Sequence, residues 1–69
     1  MQIEIGTIIR RTYSGEYAIV TELLEKERIK IHLIKGGSRY KVGENAQLCI
    51  RSHLSTTHDR LRAWEILCK

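Results

Sequence analysis

Apolar and polar residues alternate with a period of two through most of this chain. That period is the signature of half-buried strands rather than helices. The first strand is expected over about Ile3 to Thr12, with Ile3, Ile5, Thr7 and Ile9 on one face and Ile8 and Arg10 on the other. Gly6 interrupts the apolar set, and a glycine inside a strand marks a bulge or a tight bend. A short turn at Tyr13-Ser14-Gly15-Glu16 leads to a second strand, Tyr17 to Leu24. The stretch from Glu22 to Glu27 is helix-prone by composition, but a helix over 21–28 would be too short to stand alone, so a strand ending in a charged hairpin turn is expected. The third strand, Arg28 to Ile34, alternates cleanly: Ile29, Ile31 and Leu33 face one way, Arg28, Lys30, His32 and Ile34 the other.

Gly36-Gly37-Ser38 then breaks the pattern, and 35–43 reads as a loop carrying Arg39, Tyr40 and Lys41. The fourth strand, Ala46 to His53, points Ala46, Leu48 and Ile50 inward and Gln47, Cys49, Arg51 and His53 outward. A polar loop, 54–59, precedes a fifth strand, Arg60 to Cys68, whose alternation slips at Ala63-Trp64 and implies a bulge there. Trp64, the only tryptophan, is expected to close one end of the core. Five strands and no helix in a chain this short imply an all-β domain closed into a small barrel, because closure removes the exposed edges of a flat sheet. The whole span, residues 1–69, is one domain.

The order of these features resembles the cold-shock and S1-like branch of the OB-fold. Gly-Thr-Ile-Ile at 6–9 is followed by Ser14-Gly15-Glu16-Tyr17-Ala18-Ile19. Then come Ile29-Lys30-Ile31-His32, Tyr40-Lys41-Val42-Gly43-Glu44, and a last strand through Arg62-Ala63-Trp64-Glu65-Ile66. The resemblance implies a five-stranded OB barrel, preferred here over an SH3-like barrel of the KOW or Tudor type. It also implies nucleic-acid binding. The chain departs from the family in its aromatics: it has no phenylalanine, and Ala18, Ile19 and Leu33 stand where stacking rings would be expected. Each lost platform removes about 1–3 kcal/mol of base stacking.

Charge sharpens the picture. Residues 1–34 hold five basic and five acidic side chains, so the whole formal charge of +4 lies in residues 35–69. A basic half of this kind favours a polyanionic partner. The candidate nucleic-acid-binding set is therefore Arg10, Tyr17, Lys30 and His32 on the strands with Arg39, Tyr40 and Lys41 in the loop. Lys and Arg would neutralise phosphates, and Tyr and His rings would stack on the bases of single-stranded RNA or DNA. Arg10 and Arg11 point to opposite faces of their strand and cannot both contact one strand of nucleic acid, so the Arg10-Arg11-Tyr13 cluster reads as a solvated edge. The contrasting expectation is a protein-interaction or assembly module, a homo-oligomer included, with no nucleic-acid role.

Other chemistry has little support. No nucleophile–base pair, phosphate-cradling glycine loop or paired carboxylate set is visible, so no enzyme activity and no cofactor are expected. Cys49, His53 and His58 lack the paired spacing of a structural zinc site. Cys49 and Cys68 read as reduced, small apolar residues. No apolar run approaches membrane-spanning length, and MQIEIG lacks the pattern of a signal peptide, so a cytoplasmic protein with no membrane partner is expected.

Overall fold

The computed structural model describes residues 3–50, 54–55 and 64–68, with the backbone alone at Leu54, Ser55 and Cys68. Six strands form one sheet: β1 (Ile8–Arg11), β2 (Tyr17–Leu24), β3 (Arg28–Lys35), β4 (Asn45–Cys49), β5 (Leu54–Ser55) and β6 (Trp64–Cys68). Their spatial order is β4-β3-β2-β1-β6-β5. Five strands are joined antiparallel, and the two-residue β5 runs parallel to β6. The fold is an all-β, curled half-barrel.

Period two explains the core. Ile9 of β1, Ala18 and Val20 of β2, Ile29, Ile31 and Leu33 of β3, Leu48 of β4 and Trp64 of β6 are all buried on the concave side. Ala46, Ile50, Ile66 and Tyr40 pack against this cluster. Irregularities in the ladder supply the curl. The β2–β3 register shifts at Tyr17/Ala18 and again between Val20 and Glu22, and the β1–β6 register shifts at Ile8/Ile9. Bulges bend the strand and increase its twist. In β6 an irregularity falls at Leu67, where Ile8 pairs with Cys68 and Ile9 with Ile66. Residue 63 and the expected beginning of that strand at Arg60 lie outside the described residues, as do His53 and His58.

The first strand starts later than alternation suggests. Gly6 adopts φ +96°, and the Thr7 hydroxyl accepts the Glu4 amide at 2.9 Å, so residues 4–7 turn rather than extend. Ile5 is turned out to 67% exposure in consequence, while Ile3 and Thr7 are buried. Strand pairing continues through the turn: Gly6 N–H donates to Val20 O at 2.8 Å and Val20 N–H to Thr7 O at 2.9 Å.

The helix-prone stretch is strand up to Leu24, because β3 offers it a full ladder. The hairpin turn that follows places Lys26 at φ 59° and Glu27 at φ 58°. Two successive left-handed residues make the turn that matches strand twist, normally filled by Asn-Gly. Non-glycine residues there are strained by about 1 kcal/mol each. Replacing Lys26 with Asn and Glu27 with Gly should therefore stabilise the domain by roughly 1 kcal/mol, after the extra chain entropy of glycine is deducted. Chemical denaturation of the double variant checks this; a lower midpoint would show that the turn is not strained.

Candidate nucleic-acid interface

The convex face of the sheet carries the residues that alternate with the core. Register places Arg10 opposite Tyr17, and Tyr17 opposite Lys35, in one row across β1, β2 and β3. The next row holds Ile8, Ile19, His32 and Asn45. Beyond it lie Glu22, Lys30 and Gln47. Arg10, Tyr17, His32 and Lys30 are thus brought to one face, but spread from one end of the half-barrel to the other.

Each of these four is already engaged. Arg10 forms an ion pair with Glu65 of β6, its register partner. That bond, and after it a bond to the Tyr17 hydroxyl, raises the guanidinium's pKa above its ordinary value. The Lys35 ammonium sits over the Tyr17 ring, 5.3 Å from its centroid. His32 Nδ1 lies 2.9 Å from Asn45 Oδ1. Lys30 Nζ is 3.7 Å from Glu22 Oε1. Lys30 also borders an open groove of about 490 Å³, lined with Thr21, Asn45, Ala46 and Gln47.

The loop residues sit elsewhere. Both ends of the 34–43 excursion return to Leu33: its amide donates to Glu44 O and its carbonyl accepts from Gly43 N–H, each at 2.8 Å. The middle is held by Glu16. This residue is wholly buried, and its Oε2 accepts the backbone N–H groups of Arg39 and Tyr40, both at 2.8 Å. The Ser14 hydroxyl donates to Oε1, and Arg11 Nε donates to Ser14 Oγ at 3.0 Å. Burial pushes the Glu16 carboxyl up, but the Ser14 hydroxyl and the amides of Tyr40, Arg39 and Glu16 outweigh it and hold the carboxyl at about 2, against 4.5 ordinarily. Gly37 makes this approach possible. A Cβ there would lie 2.7 Å from Glu16 Cδ and 2.8 Å from Ser14 O.

Tyr40 is therefore not part of the convex face. Its ring packs on Trp64, centroids 5.7 Å apart, with the Arg11 guanidinium 5.6 Å from the Tyr40 centroid and 6.0 Å from the Trp64 centroid. Arg11 does point away from Arg10, but it caps two core aromatics and braces Ser14 rather than standing in solvent. Arg39 and Lys41 are exposed at the loop end, beside the Tyr17–Lys35 row.

Charge is sorted by this arrangement. The loop end gathers Arg10, Arg11, Lys35, Arg39 and Lys41. Its acids turn to internal partners: Glu16 is buried, Glu65 is on Arg10, and Glu44 Oε2 accepts the Lys41 amide at 2.5 Å. The hairpin end balances Lys26, Arg28 and Lys30 against Glu22, Glu25 and Glu27. Alternation alone did not single out Lys35, Arg11 or Glu16. Lys35 was legible as the residue that follows an alternating basic strand; Glu16 carried no such signal, since a carboxylate in a turn reads as solvated.

Among the described residues no group of His, Cys, Asp and Glu could hold a metal ion. Cys49 is half-buried on β4. No helix among the described residues is long and apolar enough to cross a membrane. No family model, curated protein or solved structure matches the chain.

Proposed function

We propose that this protein is a small-barrel nucleic-acid-binding module that tracks the phosphate backbone with the loop end of its half-barrel. The observation that carries this reading is the Glu16 anchor. It fixes a loop whose exposed side chains include Arg39 and Lys41, next to exposed Lys35, while Glu16 is buried and Glu65 is paired with Arg10. Fixed cations of one sign make a local positive field, and lysine and arginine release counterions from phosphates. Arg10, Tyr17 and His32 border the surface, and Lys30 stands at its far end. The pairing of β3 with β4 and of β6 with β1 supports an SH3-like variant of the barrel as readily as the OB arrangement that the sequence resembles.

Titrating a fluorescently labelled oligonucleotide by anisotropy at several salt concentrations tests the reading. Micromolar binding is expected at about 50 mM salt, and contact with about three phosphates should make log affinity fall against log salt with a slope between about −2 and −3. Lys41→Glu should weaken binding and flatten the slope by about one. Lys30→Glu, whose ammonium already pairs with Glu22, should do less. An absence of binding at low salt would sink the proposal and leave an assembly module, which sedimentation would then detect as an oligomer.

A further inference from the structure

Resting on that reading, we infer that the nucleic acid taken by the loop end is a duplex, held through its phosphates, rather than a single strand held by base stacking. Stacking needs an aromatic face open to a base. Tyr17, Tyr40 and Trp64 each have a ring face taken, which leaves Tyr13 and His32 as the rings a base could reach. Tyr17 lies under the Lys35 ammonium, and its hydroxyl bonds to Arg10. Tyr40 is held between Trp64 and the Arg11 guanidinium. Trp64 is wholly buried. A base stacking on Tyr17 would have to displace Lys35, one of the cations the surface needs for phosphates.

The backbone under the cations is rigidly held. Glu16 Oε2 takes two successive loop amides, Gly37 is pressed against Ser14 O, and Gly37 N–H donates to Tyr40 O at 2.8 Å. A Cβ on Gly36 would meet Val42 N at 2.9 Å, so this part of the loop is also closely packed. Lys35, Arg39 and Lys41 therefore project from a preorganised scaffold. Such a scaffold suits a ligand whose charges are themselves fixed in space, because neither partner is ordered on binding. Duplex phosphates form a fixed array, with one charge per about 1.7 Å of helix axis. A flexible strand would lose its freedom on this surface without gaining stacking on Tyr17 or Tyr40 in return.

The test is a direct comparison of a labelled duplex with each of its component strands, at equal length and equal salt. The duplex should bind about tenfold more tightly, with the steeper salt slope of about 0.9 per phosphate contacted against about 0.7 for a strand. Tyr13, exposed on the neighbouring turn, supplies the second measurement. Tyr13→Ala should leave duplex affinity within about twofold, because no stacking ring is needed. Single strands binding as tightly as the duplex, or a tenfold loss in Tyr13→Ala, would overturn the inference while leaving nucleic-acid binding intact. If neither form binds at low salt, the function proposed above fails first and the inference falls with it.

Discussion

Glu16→Gln should destabilise the domain by about 2–3 kcal/mol, although the substitution keeps the side chain's shape. A buried carboxylate that accepts several bonds holds each more strongly than a neutral amide does, and the amide NH2 would face donors rather than acceptors. Four donors point at this carboxylate: the Ser14 hydroxyl and the amides of Arg39, Tyr40 and Glu16 itself. Gly37→Ala should bring a loss of similar size by a different route, since Ser14 O is backbone and cannot swing away from the new Cβ. The two losses should not add, because both release the same loop from the same anchor. Urea denaturation of the two single variants and the double variant measures all three values.

The same carboxylate sets a pH dependence. Its folded pKa of about 2 lies below the ordinary 4.5. The native state therefore binds its proton less readily than the unfolded chain, and the stability it contributes is fully present above about pH 4.5. That contribution is lost as pH falls through the folded value. Thermal midpoints measured between about pH 5 and 2 should fall in the wild type, and Glu16→Gln should show a smaller decline across this range. Equal declines would show that other carboxylates, not Glu16, carry the acid sensitivity.

Trp64→Ala should be the most damaging single change, at about 3–5 kcal/mol. The indole is completely buried, and β6 reaches β1 through the pairing of Trp64 with Arg11. Removing it leaves a cavity at the Tyr40 ring and strips Arg11 of one of its two aromatic supports. A domain of this size has a total stability of only about 3–10 kcal/mol, so the variant should be largely unfolded at physiological temperature. Circular dichroism follows the loss of strand signal. Trp64→Phe keeps most of the volume and should stay folded with a lower midpoint. Because Trp64 is the only tryptophan, the wild-type emission reports its burial: it should be blue-shifted when native and move red on unfolding. Emission typical of a solvated indole in the native protein would contradict the packing described here.

Whatever depended on local alternation was readable along the chain. The inward sets Ile29-Ile31-Leu33 and Ala46-Leu48-Ile50 and the opposition of Arg10 to Arg11 follow from period two, and the structure keeps them. Alternation failed where one residue changed the phase. Gly6 turned the chain and sent Ile5 outward, and alternation gave no sign of the irregularity at Leu67. The candidate site was read less completely. Arg10, Tyr17, Lys30 and His32 do share a face, but the ion pairs of Arg10 and Lys30 join groups whose pairing the sequence does not display. Tyr40 was grouped with that face because the sequence shows a tyrosine in a basic loop. It does not show the indole, 24 positions later, on which the ring rests.

The sequence by itself determined the all-β character, the inward faces of the central strands, and the confinement of net charge to residues 35–69. These are sums over single positions or near neighbours, and no distant contact is needed to set them. Tertiary structure alone decided that β6 returns to β1, that Arg11 caps Tyr40 and Trp64, and that Glu16 becomes the buried anchor of a loop more than 20 residues away. The physical reason lies in Glu16. A carboxylate in a turn is costly to bury until the chain brings donors to it, and those donors are backbone amides, which every residue but proline carries and which leave no mark in a sequence.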